Sequence, residues 1–485
     1  MSTEDSSCGC DTCRCSTEPG AEAGDEASPE PLPWESGDSF HPMGKGWEKE
    51  MRAMLDDTEY DTELGMEMAE DAMRLVAGEI SEEEFHTEYH DAVTEEFGTD
   101  DRPLPEAFSN RDGGGSLAEQ LEKLANGDVS RRETMKKMGL GAAAVGLGGG
   151  FLGGGEDDGN STFADTAAAQ EGENDENDGT QWGMVIDLER CDGCLQCVIG
   201  CMEENHTSTG ANWMYVLTYE DERTEEENFL VRPCQHCSNA PCAKVCPVEA
   251  RHIREEGGMV LTDYETCIGC RYCQVACPYG VNYFQWGVPD TPLEDIERVD
   301  VSTGELQAMD PEERRETLEG SGEHFRDGRG REVDSRPRKG TMGKCTFCPS
   351  RQDGNMGEDA VGTVACMDAC DAAGMSAIHF GDMNDPESRP NRYLERRREV
   401  EPRADEKFED PEEEWEEAVT GSPESQLSAY KLLEEIGTEP NVVYLGNEPG
   451  PEAEQVEGPV AYEDIGAVDR RKDHLDLGAG ANEED

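Results

Sequence analysis

Sixteen of the twenty cysteines lie in four groups of four between residues 191 and 370. The first group, in the stretch CDGCLQCVIGC, has the spacing C-x2-C-x2-C-x3-C, and every group ends in C-x3-C. Three thiolates at C-x2-C-x2-C can surround one cubane cluster of iron and sulfide, and the fourth cysteine then serves a partner cluster. The spacing therefore predicts an array of [4Fe–4S] clusters rather than self-contained sites. The groups are Cys191, Cys194, Cys197 and Cys201; Cys234, Cys237, Cys242 and Cys246; Cys267, Cys270, Cys273 and Cys277; and Cys345, Cys348, Cys366 and Cys370.

Zinc and disulfides are the alternative uses of these thiols. Structural zinc takes four ligands from widely separated C-x2-C pairs, so the fourth group alone could form such a site, whereas the first and third fit it poorly. A disulfide framework does not require a repeated C-x2-C spacing. No group lacks a cysteine, so nothing indicates a [3Fe–4S] centre, and the sequence predicts four [4Fe–4S] clusters.

Two smaller clusters of ligand-type side chains lie outside these groups. The stretch CGCDTCRC contains Cys8, Cys10, Cys13 and Cys15, which could hold a metal or sense redox state, or could be incidental. His86 and His90 are four residues apart and can share a helix face, but without a further ligand in the sequence a solvated face is the preferred interpretation. The sequence contains no nucleophile triad, P-loop or GxGxxG fingerprint, which predicts no catalytic site in this chain.

The charge is strongly negative, with 41 Lys and Arg against 112 Asp and Glu and a net charge of −71. Such a chain repels nucleic acid, which excludes DNA and RNA as partners. Low hydrophobicity with high net charge is typical of disorder. It is equally typical of adaptation to high salt, where screening removes most of the self-repulsion. The acidic residues lie within well-patterned segments, which favours a protein of a salt-loving organism.

The order of segments predicts an acidic helical extension followed by the cysteine-rich region. Residues 1–40 are predicted to be disordered, 41–126 helical with a capping box at Ser81 and Glu84, and 170–180 an acidic linker. Residues 181–446 form the cysteine region, with a charged insertion at 290–340 and an acidic segment at 387–430, and 447–485 form an acidic tail. Strands are expected before Cys191 and Cys267, which indicates an internal repeat, and a short helix and closing strand at 432–446.

Residues 127–169 resemble a twin-arginine export signal. Arg131 and Arg132 precede a weakly apolar, glycine-rich stretch that is too short for a comfortable membrane span, and TAAAQ follows as a possible cleavage site. Thr134 and Met135 depart from the usual pattern, and residues 1–130 precede the arginine pair, whereas a signal normally begins near residue 1. A glycine-rich hinge is the alternative. The expectation is a chain exported in the folded state to the outer face of the cytoplasmic membrane, or held at the cytoplasmic face if the signal does not function.

The cysteine region resembles the four-cluster electron-transfer subunits of molybdopterin oxidoreductases. The resemblance covers residues 181–446 and rests on GMVIDLERCDGCLQCVIGC, PCQHCSNAPCAKVCPVEA, CIGCRYCQVACPYG, KCTFC, FGDMNDPES and LLEEIGTEPNVVYL. That family includes the dimethyl sulfoxide, polysulfide, tetrathionate and arsenate reductases. The resemblance implies an α+β fold of two fused two-cluster ferredoxin-like modules.

The resemblance also implies how the groups share clusters, with the first paired to the fourth and the second to the third. The first cluster would take Cys191, Cys194, Cys197 and Cys370, and the second Cys234, Cys237, Cys242 and Cys277. The third would take Cys267, Cys270, Cys273 and Cys246, and the fourth Cys345, Cys348, Cys366 and Cys201. Met202 and Asp371 depart from the family, because proline is frequent after the last cysteine of a group.

The function implied is relay of single electrons between a molybdopterin catalytic subunit and a membrane quinone or haem subunit. The favoured direction of electron flow is from quinol to a terminal acceptor. The alternative is the equivalent subunit of a hydrogenase or formate dehydrogenase. Five cations near the cysteines could raise cluster potentials or could be ordinary surface charge. Neutralising Arg271 is predicted to lower one potential. The five are Arg232, Lys244, Arg251, Arg271 and Lys344.

Overall fold

The computed structural model describes nine stretches of the chain, at 39–102, 179–221, 228–292, 295–296, 299, 301–319, 325–400, 429–450 and 453–469. The cysteines at 8–15, the arginine pair at 131–132, most of the predicted linker, and residues 451–452 and 470–485 of the predicted tail lie outside these residues. Within the described stretches, no helix is long and apolar enough to cross a membrane.

Three helices form the N-terminal part: α1 (Gly44–Asp56), α2 (Thr62–Val76) and α3 (Glu82–Phe97). The helical prediction for 41–126 is confirmed within 44–97, since residues 103–126 lie outside the described stretches. The capping box is also confirmed, because Ser81 and Glu84 satisfy each other's backbone N–H groups. Asp61 caps α2 by accepting a hydrogen bond from the Leu64 N–H at 3.0 Å. Local sequence chemistry therefore sets where α2 and α3 begin.

The three helices pack into the same hydrophobic core as the cysteine region. Tyr272, in the third cysteine group, donates a hydrogen bond to the Asp61 carbonyl at 2.6 Å, and Arg271 donates to the Met54 carbonyl at 3.0 Å. A Cβ on Gly65 of α2 would lie 2.6 Å from the Tyr272 ring, so only glycine allows this approach without a shift. The helical part is thus packed against the cysteine loops over the described residues.

A four-stranded sheet brings the two ends of the cysteine region together. Its order is β8 (Ile378–Asp382), β1 (Trp182–Asp187), β10 (Val442–Leu445) and β9 (Ala429–Tyr430). The strand β1 ends just before the first cysteine group and β8 begins just after the fourth, and the two pair antiparallel. The predicted closing strand is β10, which lies parallel to β1.

Smaller sheets position the other groups. The strands β4 (Arg251–Ile253) and β5 (Val260–Thr262) pair antiparallel and join the second group to the third. The strands β2 (Tyr215–Glu220), β3 (Asn228–Arg232) and β11 (Glu454–Val456) form another sheet, from which β3 leads into the second group. The pair β6 (Tyr283–Phe284) and β7 (Met342–Gly343) leads into the fourth group.

Short helices carry the third cysteine of each group. The helices α4 (Gln196–Asn205) and α5 (Pro241–Lys244) belong to the first and second groups. The third and fourth groups contain α6 (Tyr272–Val275), α9 (Pro349–Gln352) and α10 (Ala365–Ala372), and α7 (Thr303–Ala308) and α8 (Pro311–Leu318) lie between them. The helices α4 and α10 pack closely at Gly200. A Cβ at this position would lie only 2.6 Å from the Cβ of Ala369.

The charged segments differ from the sequence-based expectation. The end of the predicted charged insertion lies in the interior, where Arg326, Asp327 and Asp334 are almost completely buried. An isolated buried charge is costly. Asp327 is compensated by an ion pair with Arg329 at 2.6 Å, whereas Asp334 accepts hydrogen bonds from Thr346 and Ser350. The predicted acidic segment begins with α11 (Arg389–Val400), whose sequence RPNRYLERRREV is basic.

Candidate iron–sulfur centres

Three cavities in the structure are each lined by four cysteines. One cavity is lined by Cys345, Cys348 and Cys366 of the fourth group and by Cys201 of the first. A second is lined by Cys191, Cys194 and Cys197 of the first group and by Cys370 of the fourth. A third is lined by Cys267, Cys270, Cys273 and Cys246. Each cavity thus combines three cysteines of one group with the last cysteine of another, and the three sets equal three that the family resemblance implies.

The remaining four cysteines lie close to one another in the interior. Burial raises the pKa of Cys237 well above its usual value, and the neighbouring Cys234, Cys242 and Cys277 raise it further. All four are buried. The structure therefore brings together the sixteen cysteines of the four groups as four sets of four.

Every group contains the same backbone turn. The residue two positions after its first cysteine has a positive φ: Gly193 at 70°, His236 at 45°, Gly269 at 74° and Phe347 at 63°. This conformation directs the backbone N–H towards the preceding thiol; the His236 N–H lies 3.4 Å from Cys234 Sγ. Burial raises the pKa of Cys191, Cys267 and Cys345, and the N–H of the residue two positions on opposes that rise in each.

The last cysteine of each group also accepts a hydrogen bond. The Arg251 N–H lies 3.3 Å from Cys246 Sγ, and the Ala377 N–H lies 3.3 Å from Cys370 Sγ. Cys201 differs, because α4 continues past it and the side-chain amide of Asn205 lies 3.6 Å from its Sγ. N–H groups of this kind stabilise negative charge on thiolates and so favour cluster binding.

These sets suit iron–sulfur clusters by their donor chemistry. Thiolates are soft ligands that select iron–sulfur clusters, zinc or Cu(I). Burial raises the pKa of the Cys366 thiol well above its usual value, and the neighbouring Cys345, Cys201 and Cys348 raise it further. A bound cluster supplies positive iron that offsets this cost and a site that accepts and donates one electron at a time.

The cations near the cysteines divide into two kinds. Arg232, Arg251 and Lys344 are buried, so the surface-charge interpretation is wrong for them. Arg251 places Nη2 at 3.7 Å from Cys273 Sγ. Lys244, by contrast, pairs with Glu82 of α3. Arg271 is also buried, with its guanidinium 4.0 Å from the Phe284 ring centre, and it lines the cavity of the third group.

Two interior features were not found from the sequence. His236 stacks on Phe347 with ring centres 3.7 Å apart, donates from Nε2 to the Cys345 carbonyl at 3.1 Å and accepts from the Val260 N–H at 3.0 Å. Asp334 accepts hydrogen bonds from Thr346 and Ser350 beside the fourth group. The only signal for His236 was its place inside a C-x2-C motif, whereas Asp334 lay in a charged stretch with no pattern.

The chain matches three models of protein families. The model for a 4Fe-4S dicluster domain matches residues 183–247, a second model with the same description matches 226–292, and the model for the N-terminal region of 4Fe-4S ferredoxin iron–sulfur binding matches 41–105. The last match covers the three N-terminal helices.

Several curated proteins are similar over most of their length. A protein assigned as the iron–sulfur subunit of dimethyl sulfoxide reductase in Halobacterium salinarum is 31% identical over 56% of this chain and 81% of its own. The menaquinone reductase iron–sulfur cluster-binding subunit of Nitratidesulfovibrio vulgaris is 32% identical over 55% of this chain and 88% of its own length. The arsenate respiratory reductase iron–sulfur subunit of a Shewanella species is 34% identical over 44% of this chain and 86% of its own length. The chain belongs to the iron–sulfur subunits of the dimethyl sulfoxide reductase type.

This membership confirms the predicted class of function. The protein carries multiple 4Fe-4S clusters and transfers electrons as the iron–sulfur component of an oxidoreductase complex, without a catalytic site of its own. The predicted mixture of helices and strands with tandem ferredoxin domains is likewise confirmed.

Proposed function

We propose that the subunit holds four [4Fe–4S] clusters in two fused two-cluster modules and relays electrons between a molybdopterin catalytic subunit and a membrane quinone or haem subunit. The observation that carries this proposal is the reciprocal exchange of last cysteines. Cys201 lines the cavity of the fourth group while Cys370 lines that of the first. Cys246 lines the cavity of the third group. Cys277 lies close enough to the second group to raise the pKa of Cys237. Two groups that exchange ligands in this way define one module.

The ligands proposed for each cluster follow from these sets. They are Cys191, Cys194, Cys197 and Cys370; Cys234, Cys237, Cys242 and Cys277; Cys267, Cys270, Cys273 and Cys246; and Cys345, Cys348, Cys366 and Cys201. His236 supports continuity between the modules, because it lies within the second group and donates to the backbone of Cys345 in the fourth. An electron could therefore pass between modules across a packed interior without crossing solvent.

One exposed surface supports docking of a partner near the third group. Of the large apolar side chains that the structure describes, five are exposed, and Ile268, Trp286 and Val288 are among them. Ile268 lines the cavity of that group, and the Trp286 ring centre lies 3.9 Å from the Arg271 guanidinium, which lines the same cavity. Exposed apolar patches are typical of interaction sites. An electron-exchange partner bound there would lie beside the cluster of Cys267.

A location at the outer face of the cytoplasmic membrane, reached by the twin-arginine route, is part of the same proposal. Its support is the arginine pair at 131–132 ahead of a weakly apolar stretch, because export in the folded state allows clusters to be inserted in the reducing cytoplasm. Replacing Arg131 and Arg132 with lysine should retain the subunit in the cytoplasm, whereas Arg111→Lys should not. Cell fractionation with antibody detection measures this, and export of the double variant would refute the route.

Metal analysis of the complex, purified gently from native membranes, tests the relay itself. Four clusters require about 16 irons per chain, and a pterin partner adds about one molybdenum or tungsten. Iron without either metal would contradict the molybdopterin partner, and nickel in the same sample would indicate a hydrogenase partner instead.

A cysteine variant tests the ligand sets. Cys370→Ser should alter the electron paramagnetic resonance signal of the cluster held by the first group and lower the iron content by about one to four atoms per chain. The control Cys13→Ser removes a thiol outside the four groups and should leave the electron paramagnetic resonance signal and the iron content unchanged. An unaltered spectrum in Cys370→Ser would exclude this cysteine as a ligand.

A further inference from the structure

The structure brings two histidines and a carboxylate together at a place remote from the sixteen grouped cysteines. His86 and His90 are on one face of α3, and their rings stack with centres 5.3 Å apart. After α3 the chain reverses through Gly98, whose φ is 73°, and returns Asp100 to the same face. Asp100 Oδ2 lies 2.9 Å from His90 Nδ1 and 3.6 Å from His86 Nε2. The solvated face expected from the sequence is therefore wrong for His86, which is buried.

These distances match the spacing of ligands around a small divalent ion. Zinc with nitrogen and oxygen ligands at about 2.0–2.1 Å in tetrahedral geometry places neighbouring ligand atoms about 3.3 Å apart. The two distances to Asp100 Oδ2 lie on either side of that value, and the three ligand atoms all lie within 4.8 Å of one another. Only modest side-chain movement separates this arrangement from coordination.

The carboxylate of Asp100 is held by one neighbouring cation, Arg102. The side chain of Asp100 is buried, and Arg102 donates to both of its oxygens, from Nε to Oδ1 at 2.7 Å and from Nη2 to Oδ2 at 2.7 Å. The Arg102 backbone N–H makes a weaker contact with Oδ1 at 3.4 Å. A carboxylate has about four lone-pair directions, so Oδ2 keeps one towards the imidazoles. Metal-ligating carboxylates are ordinarily held by hydrogen bonds of this kind. Burial lowers the pKa of His86, which keeps its imidazole neutral and able to act as a ligand.

One side of the site is open. The His90 side chain is 52% exposed, whereas those of His86 and Asp100 are 8% and 0% exposed. An ion could enter past His90 and keep a water molecule as its fourth ligand. This combination of two imidazoles and one carboxylate suits zinc and other divalent ions that prefer nitrogen ligands.

We propose that His86, His90 and Asp100 bind one divalent transition-metal ion of the zinc class, which fastens the helical part to the iron–sulfur region. The connection runs through the residue after Asp100: the Asp101 N–H donates to the Pro247 carbonyl at 2.9 Å, and Pro247 follows Cys246 directly. An ion at this site would hold α3 and the 99–102 segment together, and so hold both against the loop that carries a cysteine of the third cluster set. Binding of this ion is independent of which partners the subunit has.

Metal analysis of the full-length, cluster-loaded subunit grown with added Zn²⁺ tests this site. Zinc and iron are quantified per chain, and zinc K-edge X-ray absorption identifies the ligands, since zinc–nitrogen and zinc–oxygen distances of about 2.0 Å differ from zinc–sulfur distances of about 2.3 Å. We expect about one zinc per chain with nitrogen and oxygen ligands. His90→Gln removes the exposed ligand with little risk to folding, and should lower bound zinc at least tenfold with iron unchanged.

The matched control is Asp91→Asn, which changes the exposed neighbour of His90 on the same helix and should retain zinc. Equal zinc content in His90→Gln and the parent would overturn the proposal, as would parent protein with full iron and no zinc. Zinc bound only through sulfur would place it on cysteines and would equally overturn it. The unchanged iron content separates loss of this ion from general unfolding.

Discussion

At the scale of single residues, the cysteine loops are shaped by one backbone conformation that different side chains adopt. Glycine takes the left-handed turn in the first and third groups, where it costs little. His236 and Phe347 take it in the second and fourth, at a strain that is common for functional sites. These two rings stack on each other, so the packing that stabilises the strained turns also joins two groups.

Removing the buried charge of Arg251 should lower a cluster potential. Its guanidinium lies beside Cys273, and a unit charge at about 7 Å in an effective dielectric of about 20 contributes about 2 kcal/mol, on the order of 100 mV. Arg251→Gln should therefore make one cluster harder to reduce in a redox titration followed by electron paramagnetic resonance. Lys244→Gln removes a cation that pairs with Glu82 near the surface and should shift the potentials little; equal shifts in both variants would contradict this account.

The carboxyl of Asp334 should make one potential depend on pH. Burial raises the pKa of Asp334 to about 7, although Ser350 and Thr346 donate hydrogen bonds to it. Reduction adds negative charge nearby and favours the protonated carboxyl, so the potential of the cluster at the fourth group should fall as pH rises through about 7, by at most about 59 mV per pH unit. In Asp334→Asn this slope should vanish. Asp368→Asn, which changes an exposed carboxyl of α10, should keep it, and an unchanged slope in Asp334→Asn would exclude the carboxyl as its origin.

At the scale of elements, the contact between α2 and the third cysteine group joins the helical part to the relay. Two glycines in the N-terminal helices allow this contact to be tested. A Cβ on Gly65 would collide with Tyr272 and Leu55, whereas one on Gly46 of α1 would meet nothing within 4 Å. The intrinsic helix preference for alanine is the same at both places.

Gly65→Ala should destabilise the docking of α2 by about 1–3 kcal/mol through overpacking, despite the gain in helix propensity. Gly46→Ala should instead stabilise α1 by about 0.5–1 kcal/mol, since only propensity changes. Hydrogen exchange measured by mass spectrometry reports both, as faster exchange over 62–76 in the first variant and slower or equal exchange over 44–56 in the second. Slower exchange of α2 in Gly65→Ala would show that the helix does not pack as described.

At the scale of the whole molecule, the charge of −71 decides the conditions under which the fold is stable. At about 1 M salt the screening length is about 3 Å, and at about 0.1 M it is about 10 Å, which reaches across neighbouring acidic side chains. Transfer from about 2 M to about 0.1 M KCl should therefore lower the unfolding temperature and release iron. Calorimetry with iron quantification measures both, and sucrose at equal osmolarity is the control because it does not screen charge. A melting temperature independent of salt would contradict adaptation to high salinity.

The sequence by itself determined the clusters, the family and most of the elements, because this chemistry is local. Ligand spacing within a group, caps such as Ser81 with Glu84, and strands leading into the cysteines depend on residues a few positions apart. Only the tertiary structure decided which charged residues are interior, because burial of Asp327 and Asp334 depends on partners that the folded chain supplies. The tertiary structure also decided that α2 packs against Tyr272 and that Asp100 lies beside His86 and His90. Neither contact leaves a periodic signal in the sequence, because the first depends on close packing and the second on a reversal of the chain after α3.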